Sequence, residues 1–493
     1  MFDFEKLSSA RLYVAPTVEK VLEFTPDGID VENILKVLSL SVDAKCESAE
    51  AFDGYAQIAG RANFKLIYLD KEGAAKGVDY NADFTARVDG EFSAGDNVST
   101  LINVAEAEVS ANLTLSAVLE ITAGAVKREE MDVLVNAEEC YCKKAEMTLP
   151  SFVGTKTTTA DYFDDYAVGG EIDSVLAVNA TVAIKEATAN ENGAYLKSLV
   201  CARVVYMQEG QIEEHDFEIP LEEDLNFDGL LEGDSLKVSA QIKNAKIILQ
   251  GVTGDNIIRV EGEVFYKIDA FRCAKYETIT DVFLLSNETV KEYKKYEGKC
   301  IKNTSYLDES VSGIALLGDN RPPAEKVVAL PSARCYTVKT AVDENGKIIC
   351  EGVVNADIVY LDENGYNAIR AEIPFSLDLG EAEEGTVYSA HCVVTRADAK
   401  VRREREFEIN LNLDVCLTKY FDTECEYIAG VELGEERPAN TSALSMYIAG
   451  EGEDMLDVCK ALYAMPDEIL AQNPDLAFPL EEGTEVIYFR QLK

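Results

Sequence analysis

Three stretches of this chain carry the same succession of strand and turn, at nearly constant spacing. The first contains Phe64-Lys65-Leu66-Ile67-Tyr68-Leu69-Asp70, the second Ala202-Arg203-Val204-Val205-Tyr206-Met207, and the third Ala356-Asp357-Ile358-Val359-Tyr360-Leu361-Asp362. Each runs into a glycine turn, at Gly73, Gly210 and Gly365. From the strand tyrosine to a second turn glycine (Gly95, Gly233, Gly385) is 27, 27 and 25 residues; from there to the next shared strand start (Ala107, Ala245, Ala399) is 12, 12 and 14. Offsets kept three times mark an internal repeat, so one β unit has to fold three times over.

Each block ends on a long alternating strand. In the third, Phe407, Ile409, Leu411, Leu413 and Val415 occupy every second position; Leu113 to Leu119 and Ile258 to Val264 correspond. One apolar and one wet face imply half-buried antiparallel sheet, and short strands parted by Gly, Asp and Asn turns imply a mainly β chain with a sandwich or barrel-like domain per copy. Pro220 and Pro374, each after Glu-Ile, point to an edge strand or a strand end. The periodicity lapses over Pro150 to Gly170 and Asn303 to Pro331, which predicts linkers there and β domains at 1–155, 156–310 and 311–433. Pro26 to Leu38 reads as a lead-in to the first, and 434–442 as a tether that would let the tail swing.

The tail, 443–493, reads as strand, helix, helix, strand. Met446-Tyr447-Ile448-Ala449 meets a turn over Gly450 to Asp454, and a helical run follows with Leu456, Cys459, Leu462 and Tyr463 on one face. Pro466-Asp467-Glu468 opens a second helix, since proline suits the first turn and carboxylates suit the positive end of the dipole. Asn473-Pro474 stops it, and Gly483 to Tyr488 supply the closing strand. This order resembles a LysM domain: Asp454-Met455-Leu456 falls on the family's D-T-L, Tyr463 on its helix-end tyrosine, and Ile469-Leu470 with Asn473-Pro474 on its second helix. Glu453 stands where the family has glycine, the first turn is one residue longer and the inter-helix turn one shorter. The resemblance implies a groove in which Gly452, Glu453, Asp454, Met455 and Leu456 face Asn473, Pro474, Asp475 and Leu476.

Charge narrows the partners. Lysine and arginine number 46 against 90 acidic residues, and a net charge of −44 repels phosphate backbones and anionic membranes. Ten acidic and three basic side chains lie in 443–493, which favours a protein patch bearing lysine or arginine. The N-terminus has no basic region followed by an apolar core and no apolar run spans a bilayer, so neither a secretory signal nor a membrane segment is expected. The twelve cysteines lack any CxxC pair and read as reduced core residues.

Residues suited to catalysis are sparse. His215 lies in an acidic stretch and reads as a solvated surface histidine; His391 adjoins Cys392, but strand neighbours point to opposite faces. No HExxH, GxSxG or P-loop pattern occurs. Glu222-Glu223-Asp224 and Glu381-Ala382-Glu383-Glu384 read as solvated turns, and Arg402-Arg403-Glu404-Arg405 as a solvated strand face. The chain is therefore expected to have no catalytic or metal site and to need no cofactor.

A triplicated β unit followed by one LysM-like module resembles the SipL family, in which SPOCS domains precede a LysM domain. The resemblance implies a spore-envelope protein of a spore-forming Firmicute, acting in the mother-cell cytoplasm at the forespore surface. It further implies that the LysM domain grips the coat-basement ATPase, stage IV sporulation protein A. The alternative is a carbohydrate-binding protein whose groove takes N-acetylglucosamine-containing peptidoglycan; the absence of Trp weighs against it.

Overall fold

The computed structural model describes residues 2–26, 31–252, 255–437 and 442–490. It is mainly β, in antiparallel sheets. Three units repeat one plan: a long strand, a three-stranded meander, a fifth strand, and a long closing strand that pairs with both the first and the fifth. In unit 2 these are Tyr141–Val168, then Ile172–Asn190, Gly193–Gln208 and Gln211–Asn226, then Ser235–Val252 and Asp255–Phe283. Unit 3 follows with Asn287–Leu316, the meander Ala324–Val342, Lys347–Asp362 and Gly365–Glu381, and finally Thr386–Arg403 and Glu406–Glu436. Unit 1 differs in splitting its first strand into Phe2–Val14 and Val18–Phe24, ahead of Ile34–Phe52, Tyr55–Asp70, Ala75–Asp89, Asn97–Val109 and Leu115–Ala137.

Meander and closing strand pack face to face, giving each unit its own sandwich core. Tyr360, for example, lies 5.2 Å from Phe407 across the third, among Ile358, Ile409 and Leu411. The repeated motif is the middle strand of the meander, and it is apolar on both faces because both are covered. Phe64, Leu66 and Tyr68 enter the sandwich core, while Ile67 and Leu69 meet Val205, Met207 and Val359 in a second core shared by all three units. A continuous apolar run in a short strand is what two-sided burial requires. Pro220 and Pro374 lie on the outer strands of their meanders, where the missing N–H faces no neighbour.

The units close into a ring with pseudo-threefold symmetry. Lys65 and Arg203 occupy equivalent motif positions, three residues before the tyrosine. Lys65 Nζ donates to the Val178 carbonyl of unit 2, and Arg203 donates to the Leu330 carbonyl of unit 3 at 2.9 Å. In unit 3 that position is Asp357, and its cross-strand neighbour Arg370 donates to the Leu40 carbonyl of unit 1 at 3.1 Å. Leu40, Val178 and Leu330 are each the seventh residue of their strand. Gly77 belongs to the same contact: a Cβ there would lie 1.7 Å from the Leu176 carbonyl oxygen.

Beyond the sandwiches the long strands run on as three two-stranded ribbons: Phe2–Val14 with 124–137, 141–152 with 271–283, and 287–303 with 419–436. At about 3.3 Å per residue this is a stalk some 45 Å long. Its interior is apolar, with Leu7, Met131, Leu149, Tyr296 and Tyr427 in one cluster and Leu134, Ile279, Val282 and Ile428 in another.

The stalk corrects the expected boundaries. The cut between 155 and 156 falls inside Tyr141–Val168, and that between 310 and 311 inside Asn287–Leu316. The real connections are the three-residue turns 138–140 and 284–286 at the stalk tip, so the third unit starts at 287 rather than 311. Thr155 to Asp165 looks like linker by composition, yet Ala160 and Tyr162 are buried and the β-branched threonines suit a strand. The lead-in over Pro26 to Leu38 partly lies outside the described residues; Val31–Asn33 is a 3-10 turn and Ile34 begins a strand, while Phe2–Phe24 already belongs to the first unit. Of the tether, 434–436 continue the closing strand and 438–441 lie outside the described residues.

Candidate functional site

The tail folds as expected in outline. Strands Leu444–Ile448 and Glu485–Phe489 pair antiparallel, with helices α1 (Met455–Leu462) and α2 (Pro466–Gln472) between them in sequence; residues 491–493 lie outside the described residues. Asp454 caps α1, accepting from the Leu456 and Asp457 amides while Asp457 accepts from the Asp454 amide, a reciprocal box that satisfies otherwise orphaned donors. Leu456, Cys459 and Leu462 are buried as the helical spacing predicts. Tyr463 departs from the prediction: it adopts the left-handed conformation that ends α1 (φ 52°) and is 39% exposed. Proline opens α2, and Asn473 closes it.

The groove residues divide by role. Gly452 donates to the Leu480 carbonyl and Glu453 accepts from the Leu480 amide, both at 2.9 Å. Glu453 also accepts from the Tyr447 hydroxyl at 2.6 Å, and that bond lifts the phenol to about 12. Met455 and Leu456 are buried in the module core, against which Leu476 packs. Asn473 bridges α2 to the last strand, donating to the Ile487 carbonyl at 2.7 Å and accepting from its amide at 3.0 Å. Only Gly452, Pro474 and Asp475 are exposed. The fold thus ties the first turn to Leu480 and the second to Ile487, and joins the two halves through the core; most of the nine side chains hold the module together.

The tail does not hang free: it sits on the stalk tip. Tyr141 and Phe283, from the two strands of the unit 2 ribbon, join its core. Lys143 pairs with Asp454 at 2.5 Å, so one groove residue already has a partner. Burial pushes the Asp454 carboxyl up, but Lys143 and the first-turn amides outweigh it and hold the group below its usual value. Asp281 of unit 2 binds Lys460 of α1 and Lys291 of unit 3 together; these ammonium groups overcome its burial and lower its pKa. Arg437 lies over the rings of Phe283 and Tyr463, at 5.2 and 5.1 Å, fixing the segment that enters the module.

A feature the sequence reading missed lies on the outer side of the tail sheet. Leu444 faces Phe489 across the strands and Met446 faces Ile487, and Leu444, Met446, Ile448 and Phe489 are 54 to 62% exposed. The signal was the unbroken apolar run Met446-Tyr447-Ile448, too apolar for a strand covered on one side only.

Elsewhere, a cavity of about 240 Å³ opens between units at Asp43, Arg203, Arg334, Cys335 and His391. Its arginines are engaged, Arg203 with Asp216 and Arg334 with Asp43. His391 and Cys392 diverge as expected, the thiol entering the third core while the imidazole faces the cavity. His215 is half-buried rather than fully solvated: it stacks on Tyr166 with centroids 3.4 Å apart, and burial lowers its pKa. Glu222 to Asp224 lie in a strand rather than a turn, Glu383 binds Lys302 and Lys419, and Arg405 donates to the Gly318 and Arg321 carbonyls. All twelve cysteines are free thiols, five of them buried. Among the described residues no group of three or more His, Cys, Asp or Glu side chains is placed to hold a metal, and no helix is long and apolar enough to cross a membrane.

Comparison with known families places two segments. Residues 171–250 and 326–402 match the family model described as SipL, SPOCS domain, which supports a SipL-like family for this chain. The matched segments are the meander and fifth strand of units 2 and 3. No curated protein and no solved structure matches.

Proposed function

We propose that this chain is a non-enzymatic adaptor of spore-envelope assembly. The three β units form the rigid body, and the LysM-like tail tethers a coat-basement protein, an ATPase like stage IV sporulation protein A, at the forespore surface in the mother-cell cytoplasm. The observation that carries the reading is the SPOCS match in two units of a closed triplicate whose last strand leads into a small module seated on the stalk tip. A body whose interfaces are filled by its own units supports a holding role, and a compact module at one end supports a single point of grip.

Removing 443–493 tests it. Capture of the coat ATPase in a pull-down from sporulating cells should vanish while the β region keeps its circular dichroism; retained capture would refute the assignment to the tail. Glycan recognition is the second reading, favoured by the strand-helix-helix-strand order. Calorimetry with chitin oligomers or muropeptides decides it, and saturable binding there would reverse the ranking.

A further inference from the structure

The tail sheet has two faces with opposite fates. Ser445, Tyr447, Val486 and Tyr488 alternate inward, and Tyr447, Val486 and Tyr488 pack on the core built with the helices. The outward set is Leu444 with Phe489, Met446 with Ile487, and Ile448 with Glu485. Five of these six are apolar, on a chain that otherwise presents so many carboxylates. A contiguous apolar patch with a charged rim marks an interaction surface.

The rim fixes the kind of partner. Of the module's described cations, Lys460 is bound by Asp281, and Arg490 donates to the Leu462 and Tyr463 carbonyls that end α1. Glu451, Glu481, Glu482 and Glu485 remain exposed. A second copy of the chain would bring −44 against −44, and an anionic lipid surface would be repelled likewise. We infer that the outer face formed by Leu444, Met446, Ile448, Ile487 and Phe489 seats a protein segment whose apolar side chains are flanked by lysine or arginine. This rests on the adaptor reading and moves its contact from the turn groove to the sheet.

The test uses the full chain and the purified coat-basement ATPase as probe. Met446→Glu with Ile448→Glu should weaken binding on the order of tenfold or more, with an unchanged melting curve because both side chains already face water. If that variant misfolds, Met446→Ser with Ile448→Ser serves instead. Val338→Glu with Val342→Glu, on an exposed stretch of unit 3, controls for added charge and should bind as wild type. Glu485→Lys should weaken binding about threefold and flatten its salt dependence. Wild-type affinity in the face variants overturns the inference and leaves the adaptor reading standing, as does loss of binding in Pro474→Ala with Asp475→Ala alone. A wild-type chain that does not bind the ATPase sinks both. A dimer seen by sedimentation and abolished by the face substitutions, or binding to anionic vesicles abolished by them, would assign the surface to another occupant and overturn the proposal.

Discussion

In the body, the apolar face that the middle strand of each meander turns away from its own sandwich is taken up by the neighbouring units; in the tail, an apolar face of similar character is left to water. Ile67, Val205 and Val359 point away from their own cores and meet one another. The cations Lys65, Arg203 and Arg370 each reach the matching carbonyl of the following unit, and the third step returns to the first. A head-to-tail interface that closes after three copies leaves no copy of itself unfilled. The tail has no such partner. Its α1 side is used by Tyr141, Phe283 and Lys143, and its sheet face by nothing described. On the proposed adaptor reading, recognition would fall to the part outside the ring.

Core truncation is the severest way to break the contrast. Phe407 is fully buried beside Tyr360, and Phe407→Ala should cost about 3–5 kcal/mol, read as a lower denaturant midpoint. Amide exchange in α1 should stay as it was; faster exchange there would mean that body and tail open together. Next comes Arg203→Ala, which strips donors from the Leu330 and Ala397 carbonyls and a partner from Asp216. It should cost about 1–3 kcal/mol and raise exchange at the unit 2–unit 3 contact before the sandwich cores open. A fall confined to unit 2 would show that the ring is only a contact between independent domains.

Within the tail the effects are smaller and separable. Asp454→Ala removes both the cap and the pair with Lys143, so α1 should lose about 1 kcal/mol. Lys143→Ala removes only the docking pair, whose lysine is 55% exposed, and should cost under about 1 kcal/mol. Hydrogen exchange of α1 in the two variants distinguishes capping from docking; equal effects would mean that Asp454 matters only as an anchor.

What the sequence discloses follows the range of the interactions. Alternation, glycine turns and edge prolines are local, so the repeat and its sheets are legible in Phe64–Asp70 and Phe407–Val415. Asp454, Pro466 and Asn473 are legible for the same reason, since a cap acts within a turn of its own helix. The stalk is not, because 141–152 finds its partner only in 271–283, far along the chain, and neither is the strand that continues it, since Thr155 to Asp165 pairs with Arg259 to Asp269. Nor is the ring: Lys65 and Arg203, three residues before their tyrosines, and Arg370, opposite Asp357, are visible, but the carbonyls they meet lie more than a hundred residues away. The groove fails differently. Glu453 and Asn473 are spent on Tyr447 and Ile487, and the open face appears only once the helices have chosen which side of Met446-Tyr447-Ile448 to cover.

The smallest effect concerns acid, and it separates two contacts within the body by sign. Burial pushes the Asp43 carboxyl up, but Arg334 and Lys65 outweigh it and hold it at about 2. The folded chain therefore binds that proton less readily than the unfolded one; the stabilisation is complete above about pH 4 and is lost as pH falls toward 2. Asp414 runs the other way: burial, then the neighbouring Asp308, raise it to about 6 against the pull of Lys185. Here the folded chain holds the proton more tightly, so stability grows as pH falls from 6 to 4. Because the Asp43 side chain is 42% exposed, water screens its share to less than about 1 kcal/mol. Against wild type, Asp43→Asn should lose its deficit in melting temperature below pH 4, by about 2 °C, and Asp414→Asn should lack the rise between pH 6 and 4. The same slope in both variants would mean that neither contact titrates in the folded ring.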